Sequence, residues 1–278
     1  MTILGAMSDT PAFLDAGRPG VPDIVVPRGV TPFYLPERPV RGRLVKLGKL
    51  ADALLSRHDT PDAVTRLRGE ALAMVAALAT ALKFRGSFSL HSKGDGAVPM
   101  LVADCTDTGA LRGYARVEPE RLAALLAGNP NPTAADLLGR GYLAFTVDQG
   151  PDRERHQGLV AIQGASLGEM ALHYFDTSEQ IPCFIRLACA ATAGGWRASA
   201  LILEKIAEAG GVDLEMDSRP EMDSRVADEH WGTATILAET VTDAELLDVA
   251  HLGWRDEGSG ISPLSNRKGH PPGKSVTS

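Results

Sequence analysis

The chain has 278 residues, of which 44% are hydrophobic and 23% are charged, and its formal net charge is −7. Such a chain is expected to fold around a sizeable core as one or two globular domains. The negative charge gives no electrostatic reason to expect nucleic-acid binding, because surfaces that bind phosphate are usually rich in Lys and Arg.

The sequence shows no targeting or membrane segment. Its longest apolar run, from Ala71 to Leu82, falls short of the roughly 18–20 residues that span a bilayer. The N-terminus lacks the basic and apolar regions of a signal peptide. We therefore expect a cytoplasmic protein.

The first third of the chain predicts a loose segment, a strand and a long helix. Residues 1–30 are rich in Gly and Pro, and a strand is predicted around Val40–Val45. Thr60 suits a helix N-cap and Pro61 suits the first helical position. The helix that follows, to about Lys83, is rich in Ala and is predicted to be central and buried. Leucines before it recur at helical spacing, at Leu44, Leu47, Leu50, Leu54 and Leu55.

Short strands joined by tight turns come next and predict an antiparallel meander. Helices are predicted at 119–126, at 133–138 and from Ser166 to about Ser178, where Ser166 and Glu169 form a capping-box pattern. The turn KGDG at 93–96 lacks the spacing of a phosphate-binding loop and is better interpreted as a hairpin turn. The predicted strands are 87–92, 99–103, 111–117, 142–148, 158–162, 183–189 and 198–203.

After residue 204 the sequence becomes acidic and then helical. The pentapeptide EMDSR occurs at 215–219 and again at 221–225, which is typical of a solvated loop. Two short helices are predicted at Trp231–Thr240 and Asp243–Ala250. The sequence thus predicts an α/β (α+β) fold with a mixed or antiparallel sheet core and packed helices. Its predicted parts are a loose segment (1–30), a core domain (31–204), an acidic loop with a helical linker (205–250) and a disordered tail (251–278).

The candidate catalytic side chains form only weak patterns. The seven histidines are scattered, and His156, in the charged segment 152–157, is the one most suited to a function. GASLG at 164–168 matches the G-x-S-x-G elbow of serine hydrolases, although Ser166 is explained more simply as a helix N-cap.

The cysteines indicate neither a disulfide framework nor a zinc clip. The chain has three, Cys105, Cys183 and Cys189; the number is odd and no two form a C-x-C or C-x-x-C pair. Cys183 and Cys189 are expected to share one face of a strand while Arg186 points to the opposite face. Core packing is the simplest role for these thiols.

Several stretches, taken in order, resemble the heat-shock protein 33 family, the redox-regulated holdase chaperones also called HslO. The resemblance covers about three quarters of the chain, and DAELLD at 243–248 matches the end of that family's linker region. The other matching stretches are VRGRLVKLG (40–48), residues 69–104, GALRGYAR (109–116), residues 141–162 and YFDTSEQIP (174–182).

The resemblance implies an α/β core, a helical linker packed against it and a small C-terminal zinc domain. In that family four cysteines, as C-x-C and C-x-x-C, hold one zinc ion. Oxidation releases the zinc, the linker unfolds, and an apolar surface binds unfolding proteins without ATP. Loss of a structural metal melts a small domain because metal binding supplies its folding free energy. The active form is typically a dimer.

This sequence departs from the pattern after Asp248, where the chain continues to residue 278 without a cysteine. None of the three cysteines present matches a zinc ligand of the family. We therefore expect a chaperone core without the zinc switch, with no catalytic, cofactor or metal residues. Expected partners are unfolded client proteins and, in a homodimer, a second copy of the chain, but neither nucleic acid nor a membrane. The alternatives are a non-functional truncated or frameshifted remnant and a serine hydrolase that uses Ser166.

Overall fold

The computed structural model describes residues 29–35, 38–80, 86–150, 153, 155–206, 224–248 and 262–263. In this part of the chain, two antiparallel sheets of five strands each enclose a long helix, which confirms the predicted α+β class. The strands are β1 (Val30–Tyr34), β2 (Val40–Lys46), β3 (Ser87–Gly94), β4 (Met100–Thr106), β5 (Leu111–Arg116), β6 (Gly141–Asp148), β7 (His156–Ala161), β8 (Cys183–Thr192), β9 (Gly195–Lys205) and β10 (Ser262–Pro263). The helices are α1 (Lys49–Leu55), α2 (Asp62–Ala79), α3 (Pro119–Gly128), α4 (Ala134–Leu138), α5 (Leu167–Tyr174), α6 (Ser224–Glu239) and α7 (Asp243–Leu247).

The first sheet has the strand order β10-β1-β2-β9-β8. Because side chains alternate between the two faces of a strand, each strand contributes to two different environments. In β9, Ile202 and Glu204 point toward the centre of the molecule, whereas Leu201 and Leu203 point to the outer face. This sheet therefore carries one apolar cluster on each side.

The second sheet has the order β5-β4-β3-β6-β7 and contains the predicted meander of β3, β4 and β5. The KGDG segment closes the β3–β4 hairpin, in which Gly94 N donates to Pro99 O at 3.0 Å. The carboxylate of Asp95 accepts a hydrogen bond from Arg140 N at 2.7 Å. The hairpin interpretation of this segment is thus confirmed.

Helix α2 lies between the two sheets, and fifteen of its eighteen residues are buried. It contacts β2, β8 and β9 of the first sheet and β3, β4 and β5 of the second. Small residues permit this close approach: a Cβ atom added to Gly69 would lie 2.2 Å from Cys189 Sγ. The prediction of a central buried helix is confirmed. None of the described helices is long and apolar enough to cross a bilayer.

The start of α2 differs from the prediction. Pro61 occupies the N-cap position and no side chain caps the helix. The hydroxyl of Thr60, the predicted cap, instead lies 3.0 Å from the hydroxyl of Thr65. The carbonyl of Pro61 accepts hydrogen bonds from Val64 N at 2.9 Å and Thr65 N at 3.0 Å, so the backbone satisfies an N–H that a side-chain cap would otherwise bind.

Other element boundaries also differ from the predictions. Leu44 lies in β2 and not in the helical series, because α1 begins at Lys49. Helix α6 begins at Ser224, seven residues before the predicted Trp231. After α5 the backbone continues as a π-helical turn, Phe175–Glu179. The predicted loose segment up to residue 28, most of the EMDSR repeat and all of the tail except β10 lie outside the described residues.

Candidate functional site

Helices α6 and α7 cover the outer face of the first sheet. Helix α6 contacts β2, β8 and β9, and α7 contacts β8 and β9. Beneath them lies the second apolar cluster of the molecule, separated by the sheet from the main core around α2. The sheet residues of this cluster, here called the covered face, are Phe33, Val40, Leu44, Phe184, Ala188, Leu201 and Leu203.

The covered face is a continuous apolar surface across β1, β2, β9 and β8. In one cross-strand row, Phe33 is opposite Gly42, Gly42 is opposite Leu203, and Leu203 is opposite Phe184. The Phe33 ring lies directly over Gly42, where an added Cβ would be 2.3 Å from Phe33 Cζ. The glycine therefore allows the aromatic ring to lie flat on the sheet.

The helices that cover this face contribute little to the cluster. The buried residues of α6 are three alanines, Ala227, Ala234 and Ala238, and α7 buries only Leu246. Alanine removes much less apolar surface from water than the Leu, Val and Phe side chains of the sheet. A large apolar face is thus covered by weakly anchored helices, and three further side chains of this region are half-buried against it: Trp231, Val241 and Leu247.

Three cationic side chains of the sheet bind the covering helices from below. Lys205 in β9 forms an ion pair with Asp228 in α6. Arg186 in β8 pairs with Asp243 at 2.9 Å and donates to the carbonyl of Glu239 at 3.3 Å. Lys46 in β2 donates to the carbonyl of Asp248 after α7. Ion pairs as exposed as these contribute about 0–1 kcal/mol each.

Helix α7 is also stabilised locally by a capping box. The hydroxyl of Thr242 accepts from Glu245 N at 3.3 Å, and the Glu245 carboxylate accepts from Thr242 N at 2.7 Å. The hydrogen bond from the Thr242 backbone lowers the pKa of the Glu245 carboxyl. This cap fixes where α7 begins and so positions Asp243 beside Arg186.

The pKa of Glu70 in α2 depends in part on the covering helices. The pKa of its carboxyl is raised to about 7, mainly by burial and secondly by Asp243, while Arg66 acts to lower it. The group also acts on Cys189 in β8, whose thiol pKa it helps to raise. A half-buried acidic residue of α2 therefore lies within electrostatic range of an acidic residue of α7.

Sequence reasoning overlooked Glu70, Lys46 and Lys205, and it noted Arg186 only as a residue pointing away from the cysteines. One signal was available: Lys46, Arg186 and Lys205 lie on strand positions that share a face with Leu44, Phe184 and Leu203. A cation on an otherwise apolar strand face indicates a partner above that face. For Glu70, which lies on a helix with mostly buried residues, no comparable signal exists in the sequence.

The three cysteines lie in strands of the two sheets. Cys105 in β4 and Cys189 in β8 are buried, and Cys183 at the start of β8 is half-buried. Burial is the main cause that raises the pKa of each thiol to about 12. As expected, Cys183 and Cys189 share the inner face of β8 while Arg186 lies on the outer face.

The described residues do not fit the four-thiolate zinc site that the family resemblance implies. In this part of the chain, no group of three or more His, Cys, Asp or Glu residues is arranged to hold a metal ion. Cys105 lies in a different sheet from Cys183 and Cys189, so the three thiols cannot converge on one ion.

The two residues considered for catalysis lie apart from the covered face. Ser166 is the N-cap of α5 and accepts a hydrogen bond from Glu169 N at 3.1 Å. No histidine in the described part of the chain hydrogen-bonds to its hydroxyl, so the triad geometry of a serine hydrolase is not formed there. His156 lies exposed in β7 opposite Val147 and not in a loop, which corrects the prediction for that residue.

A family model and curated relatives both match most of this chain. The family model described as Hsp33 protein matches residues 29–255. A 33 kDa chaperonin of Caulobacter vibrioides is 39% identical over 223 residues, which cover 79% of this chain and 70% of the relative. A 33 kDa chaperonin of Pseudomonas fluorescens (strain SBW25) is 34% identical over 215 residues, which cover 77% of this chain and 65% of the relative.

A solved structure shares the fold. The crystal structure of the 33 kDa chaperonin (heat shock protein 33 homolog) from Thermotoga maritima superposes with a TM-score of 0.63 at 20% sequence identity. The match covers 78% of this chain and 69% of that chain. Since the family model and the curated relatives both cover most of the sequence, the chain belongs to the Hsp33 family of chaperones.

Proposed function

We propose that this chain is an ATP-independent holdase whose client-binding surface is the covered face of the first sheet. The observation that carries the proposal is the contrast between the two sides of the outer cluster. The sheet contributes large side chains such as Phe33, Leu44 and Leu203, whereas α6 buries only alanines. Release of α6 and α7 exposes a contiguous apolar surface, and such surfaces bind other proteins.

The covered face suits unfolded polypeptides better than a single defined ligand. It is broad and apolar, and its polar groups, Lys46, Arg186 and Lys205, lie around the apolar residues. Apolar segments of an unfolding protein bind there through burial of surface, which is non-directional and tolerates many sequences. This role requires no catalytic residue, and the chaperonin names of the relatives agree with it.

We further propose that client binding does not depend on a zinc–thiol switch within these 278 residues. In support, the sequence after Asp248 contains no cysteine, and the thiol pKa values of about 12 disfavour the reactive thiolate form. The weak docking of α6 and α7 then sets the fraction of molecules with the face exposed. We expect this activity in the cytoplasm, and sedimentation of the purified chain would test the predicted homodimer.

A matched pair of core substitutions tests the proposed surface. Leu246 is the only buried residue of α7, and Leu122 is the only buried residue of α3. Each Leu→Ala change removes about 2–5 kcal/mol of packing. Leu246→Ala should release the covering helices and increase the suppression of thermal aggregation of a client protein. Leu122→Ala should destabilise the fold without that increase.

The same assay, run with reduced and with oxidised protein, tests the absence of a thiol switch. Equal suppression under both conditions is expected. Strict dependence on oxidant, or near-stoichiometric zinc in the purified protein, would contradict the second part of the proposal. Failure of both the wild type and Leu246→Ala to suppress aggregation would favour the non-functional remnant.

A further inference from the structure

In the part of the chain that the structure describes, the outer face of the second sheet is exposed, unlike that of the first. Seven large apolar side chains are exposed in the described part of the chain, and four of them, Met100, Tyr114, Tyr142 and Leu159, lie on this face. Met100, Tyr142 and Leu159 line a shallow groove with a volume of about 1000 Å³. Tyr114 lies beside it on the edge strand, with its ring 6.2 Å from that of His58. The remaining three lie on α6.

The strand register aligns these residues in two adjacent rows. One row crosses all five strands through Tyr114, Val102, His91, Ala144 and Leu159. The next row carries Met100 and Tyr142 on either side of Lys93. The small Ala144 lies between larger neighbours and forms the floor of the groove. The apolar surface is thus a band that runs across the strands.

Cationic groups border this band and lie above the carboxylates that pair with them. Arg112 pairs with Asp104, and their side chains are 81% and 11% exposed. Arg155 pairs with Asp148, and here the values are 66% and 34%. Because the guanidinium groups are more exposed than the carboxylates, the open face presents the cationic member of each pair to solvent.

The same arrangement recurs at the end of the second row. Arg116 lies 2.7 Å from Glu118, and their side chains are 62% and 37% exposed. Each of these arginines uses only some of its five N–H donors in its ion pair, so donors remain for a further carboxylate. Lys93 adds an exposed ammonium group between Met100 and Tyr142.

We propose that this open face is a second interaction surface, which binds an extended stretch of polypeptide that alternates apolar and acidic residues. Apolar side chains of the ligand would pack between Tyr114, Tyr142 and Leu159, and its carboxylates would reach the bordering arginines. Neighbouring strands lie about 4.8 Å apart, so five strands span roughly 20 Å, which matches about seven residues of extended chain. This inference rests on the proposed function in one respect only, namely that the ligand is an unfolded polypeptide.

A nucleic acid fits the face less well than an acidic peptide. Phosphate binding favours guanidinium groups without competing carboxylates, whereas Asp104, Glu118 and Asp148 partly neutralise theirs. The mixed apolar and cationic character suits a ligand with both kinds of side chain, because apolar burial supplies affinity and charge supplies selectivity.

Fluorescence anisotropy with two labelled eight-residue peptides tests the proposal. One peptide alternates Leu or Phe with Glu, and the other has Lys in place of Glu. The acidic peptide should bind at least about tenfold more tightly at low salt, and the difference should shrink as salt screens the charges. Equal affinity for the two peptides would overturn the proposal.

Substitutions on exposed positions locate the binding. Tyr114→Ser with Leu159→Ser should weaken binding of the acidic peptide about tenfold. Arg112→Gln with Arg116→Gln should reduce the preference between the peptides. The matched control, Ile236→Ser with Leu237→Ser on α6, should leave binding unchanged. Loss of binding in the control, or its persistence in the Tyr114/Leu159 variant, would overturn the assignment.

Two further measurements exclude other occupants. A single-stranded oligonucleotide that displaces the acidic peptide would show that the face binds nucleic acid. A change of sedimentation coefficient in the Tyr114/Leu159 variant would show that it binds a second copy of the chain. Either result would overturn the proposal. Because these probes bind without release of α6 and α7, a failure here is distinct from a failure of Leu246→Ala in the aggregation assay.

Discussion

The guanidinium group of Arg186 lies 2.9 Å from the carboxylate of Asp243. The same side chain donates to the carbonyl of Glu239, the last residue of α6. One residue of β8 thus binds the end of one covering helix and the start of the next. The junction of α6 and α7 is therefore held to the sheet by a polar contact at the edge of the apolar cluster.

Replacement of this residue should loosen both helices together. Arg186→Met keeps most of the apolar stem and removes the charge, at a loss of about 1 kcal/mol of docking free energy, or roughly fivefold in population. Hydrogen exchange in α7 should accelerate by about that factor, and aggregation suppression should rise. The control is Arg140→Met, at an exposed pair 3.3 Å from Asp95. An equal effect of both changes would show that Arg186 has no special role.

The docking of α6 and α7 should weaken as the pH rises. The pKa of Glu70 is about 7 in the docked state and 4.5 for an unperturbed carboxyl. Release of α7 removes the contribution of Asp243 and so lowers the pKa of Glu70, and the released state gives up its proton at a lower pH than the docked state. Docking is therefore strongest at acidic pH and declines as the pH rises toward about 7. Since burial, the larger cause of the shift, persists after release, we expect a decline of at most about tenfold.

The fluorescence of Trp231, half-buried on the covered face, reports this change in a chain with Trp196→Phe and Trp254→Phe. Glu70→Gln should remove the pH dependence between pH 5 and 7.5. Glu120→Gln, at an exposed position of α3, should retain it. A pH profile of the Glu70 variant identical to that of the parent would contradict the assignment.

Helix α6 should gain stability from a single added methyl group. Gly232 lies inside this helix, and a Cβ added there meets nothing within 4 Å. Alanine is favoured over glycine in a helix by about 1 kcal/mol, so Gly232→Ala should slow exchange in α6 and reduce client binding. Gly128→Ala in α3, where space is equally open, should stabilise its helix without reducing client binding. Increased client binding by Gly232→Ala would contradict the proposed surface.

The thiols should be unreactive in the folded chain. With pKa values of about 12, at most roughly one molecule in 10⁴ carries the thiolate form of a given cysteine near neutral pH. Iodoacetamide should label Cys105, Cys183 and Cys189 only after denaturation, as mass spectrometry would show. Peroxide should leave aggregation suppression of the native protein unchanged. Rapid labelling of any of the three in the native state would show that its strand opens.

Much of the fold follows from local patterns in the sequence. The length and alanine content of α2 predict a helix buried on all sides, and the alternation in β3 to β5 predicts a meander. These features depend on residues close together in the chain. The family resemblance adds the prediction of a helical linker within 205–250, the range in which α6 and α7 lie.

The division into two sheets was not predicted, because it depends on pairings between distant residues. Strand β2 pairs with β9, so that Val40 is opposite Lys205, and no local signal announces such a contact. The covered face is missing from the prediction for the same reason. Its residues come from β1, β2, β8 and β9, and the cations that bind the helices are recognisable only once those strands are side by side.

The alternation in β9 has a consequence for folding accuracy. A slip of one residue in its pairing with β2 would exchange the two faces of the strand. Glu204, which binds Arg43 at 2.8 Å on the inner face, would then point into the apolar outer cluster, and Leu203 would displace it beside the arginine. Burial of Glu204 among apolar side chains and placement of Leu203 beside Arg43 are both unfavourable. The alternation in β9 therefore disfavours a shifted register through its effects on both faces of the sheet.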